Sequence, residues 1–319
     1  MGIKILRTAS GCMASISLIR ELDNRGIEVI CADAEPLSVG LFYCKKGYVI
    51  PKGDDPNFVP EILKICKKEG IKAIISGPEE EITAISKNKN IFLKEGILPI
   101  VPDYDTVKIC ADKIKTYEFF IKHGIPTPKT FELNDLKLQE DEMKYPIIIK
   151  PRFGRGSSGI YIIRDEKDFK HFNREYTLNY IGQEYIEGIE CTIDVFSDMD
   201  GNVLSIVPRK RLTVESGIAV KSETFYDRDL IEYTYKIAEK LNIKGPANIQ
   251  CIMSEKNSCF MFTEINTRFG GGSILSIKAD PTIIKNLIRI IKRQETLPSN
   301  GFKRGLLMLR YYQEIYVEK

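Results

Sequence analysis

The sequence predicts an α/β unit followed by an α+β region, and three observations carry that prediction. Strand-like and helix-like apolar periods alternate through the first hundred residues, the pattern of a parallel sheet with helical crossovers. "PTPKT" at 126–130 then sets two prolines within three positions; proline and the residue before it resist helix, so this is a boundary or an extended linker. Beyond it, short β-rich runs separated by turn residues replace the alternation, as antiparallel hairpins require.

Each element follows from its local pattern. "IKILRT" is a strand, Met13–Arg25 a helix with Ile16, Ile19 and Leu22 facing inward, and "IEVICAD" a second strand. "GYVIP", a helix over Asn57–Lys68, the strand "IKAIISG", a helix from Pro78 and the strand "ILPIVP" complete the unit, which closes at residue 104. Asp33 ends the second strand where a dinucleotide fold places its ribose-binding acid. However, the first loop "TASGCMAS" holds only Gly11, so the phosphate-binding glycine pattern is absent and NAD is disfavoured. A helix spans Tyr104–Ile125 and stops at Gly124. The strands "YPIIIKP", "GIYIIRD", "QEYIEG" and "ECTIDVFSDMDGNVLSIVP" come next. A helix at Arg228–Leu241, hairpin strands at Ala247–Met253 and Cys259–Asn266, a helix at Pro281–Arg293 and a closing strand finish residues 105–319.

Composition narrows the function. Against 47 basic residues stand 44 acidic ones, a balance too even for a nucleic-acid or anionic-membrane partner. Eight scattered cysteines lack a C-x-x-C pair and read as reduced thiols, and the expected compartment is the cytoplasm. Two histidines are little material for zinc.

Three constellations carry chemistry. "GRGSSG", Gly154–Gly159, lies between two strands, where a Rossmann pattern would need a helix. A glycine-rich hairpin lays backbone N–H groups over nucleotide phosphates, and Ser157 and Ser158 add donors. Lys150, at the end of the preceding strand, becomes a charge partner for phosphate. In "TEINTRFGGGS", Glu264, Asn266 and Arg268 share one face of a strand. A short hairpin can set Gln250 beside them. Oxygen donors from Glu, Asn and Gln suit Mg²⁺, Arg268 suits charge on a transferred phosphoryl group, and the triple glycine admits a substrate close to the backbone. Together these features describe ATP-dependent phosphoryl transfer.

In order and spacing, "DK…GIPTPKT", "IIIKPRFGRGSSGI", "QEYIEGIECTIDV" and "NIQCIM…FTEINTRFGGG" resemble the ATP-grasp ligases, in particular those similar to the carbamoyl-phosphate synthase large chain. The resemblance implies a Rossmann-like pre-ATP-grasp domain over 1–104 and a two-lobed ATP-grasp domain over 105–319, its smaller nucleotide lobe at about 125–186 and its larger lobe at about 187–319. It further implies that Lys113 and Lys150 bind ATP phosphates under the Gly154, Gly156, Ser157, Ser158, Gly159 loop. Glu184, Tyr185 and Ile186 would meet adenine and Glu190 the ribose. Gln250, Glu264 and Asn266 would hold Mg²⁺, with Mn²⁺ as the alternative ion. Arg268, with Arg209 and Lys150, would stabilise formation of an acyl phosphate that an amine then attacks. The partners implied are a small-molecule carboxylate and an amine, with amino acids among the candidates. Substrate pockets in such enzymes lie between the lobes, which makes two stretches candidates: Arg209, Lys210 and Arg211 either meet the γ-phosphate or a substrate carboxylate or form a solvated basic strand, and Glu79, Glu80 and Glu81 either hold an ammonium group or start a helix. Homodimers are common among similar ligases. A binding module of the same fold without turnover is the rival reading.

Overall fold

The computed structural model describes residues 2–133, 145–154, 159–172, 179–256 and 259–318. It shows the predicted succession of a parallel α/β unit and antiparallel sheets. The first sheet holds β1 (Lys4–Arg7), β2 (Glu28–Asp33), β3 (Gly47–Val49), β4 (Ala73–Ile75) and β5 (Leu98–Pro99), in the order β3-β2-β1-β4-β5. Its pairings are parallel, and β1 and β4 flank the point where the strand order reverses. Helices α1 (Met13–Asp23), α2 (Val39–Tyr43), α3 (Phe58–Glu69), α4 (Glu79–Lys87) and α5 (Lys89–Lys94) make the connections.

The helix expected over 104–125 is two helices, α6 (Tyr104–Ala111) and α7 (Lys113–Lys122). Asp112 breaks it: its backbone is extended, and its carboxylate accepts from the N–H groups of Ile114 and Lys115, capping α7. A four-stranded sheet follows, built of β6 (Thr130–Glu132), β7 (Ile147–Pro151), β8 (Tyr161–Ile163) and β9 (Tyr180–Glu184) in the order β6-β9-β7-β8, with α8 (Glu166–His171) alongside. The largest sheet is six-stranded. It comprises β10 (Gly188–Ser197), β11 (Val203–Glu215), β12 (Ile218–Thr224), β13 (Gly245–Ser254), β14 (Phe260–Asn266) and β15 (Leu307–Leu309). Its order is β14-β13-β10-β11-β12-β15, with α9 (Arg228–Lys240) before β13, and α10 (Ser273–Ala279) and α11 (Thr282–Ile291) after β14.

Alternation along these strands divides the six-stranded sheet between two cores. Ile193, Val195, Ile249, Phe262 and Ile265 pack with Phe119, Phe120, Leu230 and Ile237 of α7 and α9. On the other face, Phe196 and Val207 join Ile277, Ile284 and Leu287 and reach Ile5, Ile19 and Val29 of the parallel unit. That second core seats the parallel unit against the face that carries the site. One sequence reading is corrected here: Cys31 Sγ is bonded to Cys44 Sγ, so these two cysteines are not free thiols. They lie 13 residues apart and meet because Cys31 lies on β2 and Cys44 follows the helix that leads into β3. Among the described residues, no helix is long and apolar enough to cross a membrane.

Candidate active site

The site begins with a bulge. Gln250 pairs with Glu264, but its neighbour Cys251 pairs with Phe262, so Thr263 is an extra residue on β14. A regular strand would send Phe262 and Glu264 to the same side. The inserted residue lets Phe262 enter the core while Glu264 and Asn266 face the opposite way. The register then aligns Glu264, Gln250, Thr192 and Arg209 across four neighbouring strands. Along β14, Asn266 Nδ2 donates to Glu264 Oε1 at 3.1 Å, and Arg268 donates to Asn266 Oδ1 at 2.8 Å. The carboxylate, amide and guanidinium predicted to share a face form one hydrogen-bonded string.

A cavity opens onto this string. Glu264 and Asn266 line it from β14, Arg268 from just beyond the strand's end, Lys113 from α7, Gly154 from the loop after β7 and Glu79 from α4. Lys113 Nζ donates to the Gly154 carbonyl at 3.1 Å. Burial is the main cause that raises the Glu79 carboxyl above its ordinary range; Glu264 adds to the shift, while Lys113 and Arg268 oppose it. Of the three acids, only Glu79 lines this cavity. Glu81 is buried and accepts hydrogen bonds from Thr8 and Ser76, and Glu80 is exposed.

Lys150 is 8% exposed, and its ammonium donates to Gln183 Oε1 at 2.9 Å. Gln183 in turn donates to Thr130 Oγ1. Burial draws the Lys150 pKa down to about 8, with Glu264 opposing that shift and Lys113 adding to it. Lys113, Lys150 and Glu264 therefore lie within electrostatic reach of one another. Arg209 has a different setting. It is 3% exposed, and its Nε donates to Asp194 Oδ2 at 2.8 Å. Ser273 and Ser276 also donate to the Asp194 carboxylate, each at 2.6 Å. Arg211 pairs with Glu190 at 3.0 Å, while Lys210 points away, over the Phe225 ring.

The triple glycine has an internal reason. A Cβ on Gly270 would meet the Asn248 amide at 2.8 Å and one on Gly272 the Arg209 guanidinium at 2.4 Å, so these residues are small to admit protein side chains. The backbone N–H of Glu184 donates to the Lys129 carbonyl and that of Tyr185 to the Pro146 carbonyl; Ile186 is half-buried beside them. Gly159 closes its loop at φ +72°, with Tyr180 against it. Gly156, Ser157 and Ser158 lie outside the described residues.

Sequence reasoning missed Gln183, Asp194, Cys12 and Arg310. The Arg310 guanidinium donates to the Ala219 and Gly271 carbonyls. Burial and nearby Arg209 hold it below its ordinary range, opposed by Cys12. For Cys12, in the loop after β1, burial works to raise the thiol, but Arg7 and Ser15, with a smaller part from Arg268, hold it below its ordinary range. Asp33, the acid considered for a ribose, is occupied by Gly11 N–H and Ser38 Oγ.

A model of the ATP-grasp domain matches residues 110–272, just over half of the chain. The chain belongs to the ATP-grasp family. The matched span runs from before Lys113 to the last residue of the triple glycine. A second model, the PylC-like N-terminal domain, matches residues 7–100. This ATP-grasp chain is 25% identical over 263 residues to a carbamoyl-phosphate synthase of Methanobrevibacter smithii, covering 79% of the chain and 70% of that protein. It is 26% identical to the carbamoyl phosphate synthase large chain of Thermoplasma acidophilum, covering 85% of the chain and 27% of the relative. Against the methylcrotonoyl-CoA carboxylase subunit alpha of Dictyostelium discoideum, it is 25% identical and covers 83% of the chain and 40% of the relative. The chain thus spans well under half of the latter two. In fold it is similar to the biotin carboxylase domain of Hydrogenobacter thermophilus 2-oxoglutarate carboxylase, a structure containing MgADP and bicarbonate. That match has a TM-score of 0.77 at 19% identity and covers 96% of this chain and 74% of the other. N5-carboxyaminoimidazole ribonucleotide synthetase of Thermotoga maritima matches with a TM-score of 0.70 at 22% identity, covering 94% and 78%.

Proposed function

We propose that this protein is an ATP- and magnesium-dependent, ADP-forming ligase that activates a small-molecule carboxylate as an acyl phosphate and joins it to an amine. The observation that carries this reading is the cavity where Lys113, Gly154, Glu264, Asn266 and Arg268 meet, with buried Lys150 in electrostatic reach. Two ammonium groups and a guanidinium, against the carboxylates of Glu79 and Glu264, leave an excess of positive charge that suits a polyphosphate.

The donor set also fits the metal. Glu264, Asn266 and Gln250 present oxygens from adjacent strands, and Mg²⁺ takes a few such ligands and completes its shell with phosphate and water. Bound there, it would neutralise phosphate charge. The chain's own residues supply the rest. Lys113 and Lys150 hold the phosphates, and Arg268 faces the negative charge that develops as the carboxylate oxygen attacks the γ-phosphorus and ADP departs. Arg268, on the cavity wall, also faces the carboxylate substrate as it approaches. An amine arrives as an ammonium ion and must lose a proton before it attacks the acyl carbon and displaces phosphate. Glu79 lines the cavity with its carboxyl raised above the ordinary range, and it receives that proton.

The test is ADP release from Mg-ATP with pooled amino acids and small carboxylates. Release by the wild type that depends on one pool, and falls at least about a hundredfold in Glu264→Ala, is the expected result. ADP formation that survives this substitution unchanged would sink the reading.

A further inference from the structure

Lys113 and Lys150 carry like charges, come from different parts of the molecule, and still lie close enough that Lys113 adds to the lowering of the Lys150 pKa that burial mainly causes. Lys113 opens α7, which packs against the six-stranded sheet through Phe119 and Phe120. Lys150 belongs to β7 of the four-stranded sheet. Left to themselves, two ammonium groups on separate units would move apart.

Arg152 spans the gap. Its Nε donates to Asp112 Oδ1 at 2.9 Å and a terminal nitrogen to Asp112 Oδ2 at 2.8 Å. The other terminal nitrogen donates to Glu132 Oε1 at 2.8 Å. The Arg152 carbonyl accepts from the backbone N–H of Lys113, and its own N–H donates to the Asn179 carbonyl. Asp112 is 3% exposed and caps α7. Burial opposes its ionisation, but the Arg152 guanidinium outweighs that and keeps its carboxyl below the ordinary range. A two-pronged guanidinium–carboxylate pair fixes orientation as well as distance. One side chain therefore joins the helix end that precedes Lys113, the strand end that follows Lys150, and β6.

We infer that Arg152 is a positioning residue: through Asp112 and Glu132 it holds Lys113 and Lys150 in a single frame, so that both ammonium groups meet the phosphates of one nucleotide. The inference rests on the proposed function, in which both lysines bind phosphate. It separates a latch for phosphate recognition from general support of the fold, because a latch leaves recognition of the adenosine moiety untouched.

The experiment measures binding of Mg-ATP and of adenosine, by calorimetry, to wild type, Arg152→Met, Asp112→Asn and the double variant. Asn still caps a helix, so Asp112→Asn tests the latch even if Arg152→Met, which leaves a buried carboxylate unpaired, fails to fold. We expect the Mg-ATP dissociation constant to rise about tenfold in each single variant, with adenosine affinity unchanged. The double variant should lose no more than either single one, because all break the same pair. Arg152→Lys, which keeps the charge but not the fork, should recover part of the loss. Unchanged Mg-ATP binding in Asp112→Asn overturns the inference, as does an equal loss of Mg-ATP and adenosine affinity. A wild type that does not bind Mg-ATP overturns the proposed function itself, and the latch with it.

Discussion

Lys150 and Arg209 are both cations buried beneath the cleft, yet the structure neutralises them in opposite ways. Arg209 is matched to the Asp194 carboxylate, and that carboxylate is in turn held by Ser273 and Ser276 at the start of α10. Among the described residues, Lys150 meets an amide oxygen at hydrogen-bond distance, and burial has drawn its pKa down to about 8 with Glu264 opposing that shift. A buried pair with its remaining lone pairs satisfied is a closed unit. A buried ammonium without a carboxylate at its side is held for a charge that arrives later. Arg209 therefore anchors the triple glycine and α10, whereas the pairing of Lys150 fits the phosphate-binding role proposed for it. For a site residue, how its charge is paired says more than that it is charged.

The largest effect should come from breaking the closed unit. Arg209→Met leaves Asp194 buried without its counter-ion, and the protein should lose about 3–5 kcal/mol of stability in urea unfolding. A loss below about 1 kcal/mol would mean that Arg209 is held for substrate instead, and the contrast with Lys150 would collapse.

Lys150→Met should do the reverse. Ligand-free stability at pH 7 stays level or rises, since a buried charge is removed and Gln183 keeps its bond to Thr130. Mg-ATP affinity should fall by about 1.5–3 kcal/mol, the worth of hydrogen bonds to a charged group. Unfolding of this variant at pH 7 would show that Lys150 is structural.

The pH dependence sharpens the comparison further. A lysine whose pKa is lowered by folding binds its proton more weakly in the folded chain. Between the folded value of about 8 and the ordinary value near 10.4, the unfolded chain holds more protons, so stability from this group rises with pH. Below about 8 both forms are protonated and the group contributes no slope. The difference in stability between wild type and Lys150→Met should therefore shift in favour of wild type by up to about 3 kcal/mol across that window. Over the same range Mg-ATP binding should weaken, because a neutral Lys150 no longer attracts phosphate. A flat difference would place the Lys150 pKa at its ordinary value.

Much of the site was legible because its members are close in sequence. Glu264 and Asn266 share β14, where a period of two sets the face, Arg268 follows two residues beyond the strand, and a short hairpin brings Gln250 opposite. The parallel unit was legible because each strand and helix repeats its own apolar period. The break at Asp112 escaped notice since apolar residues continue on both sides of it, and only the capping carboxylate marks the stop.

The rest depended on partners that no local pattern names. The choice of Glu79 over Glu80 and Glu81 came from how α4 faces the cleft. Gln183 reaches Lys150, and Asp112 reaches Arg152, only after separate elements have packed. The Thr263 bulge is invisible in the sequence, because an extra residue exists only relative to a partner strand. By itself, then, the sequence determined most of the elements, their order and the chemistry of the side chains, since these follow from periods and residue types along the chain. Which charges are matched and which are left waiting was decided by tertiary structure alone, because burial and pairing are properties of distance in space.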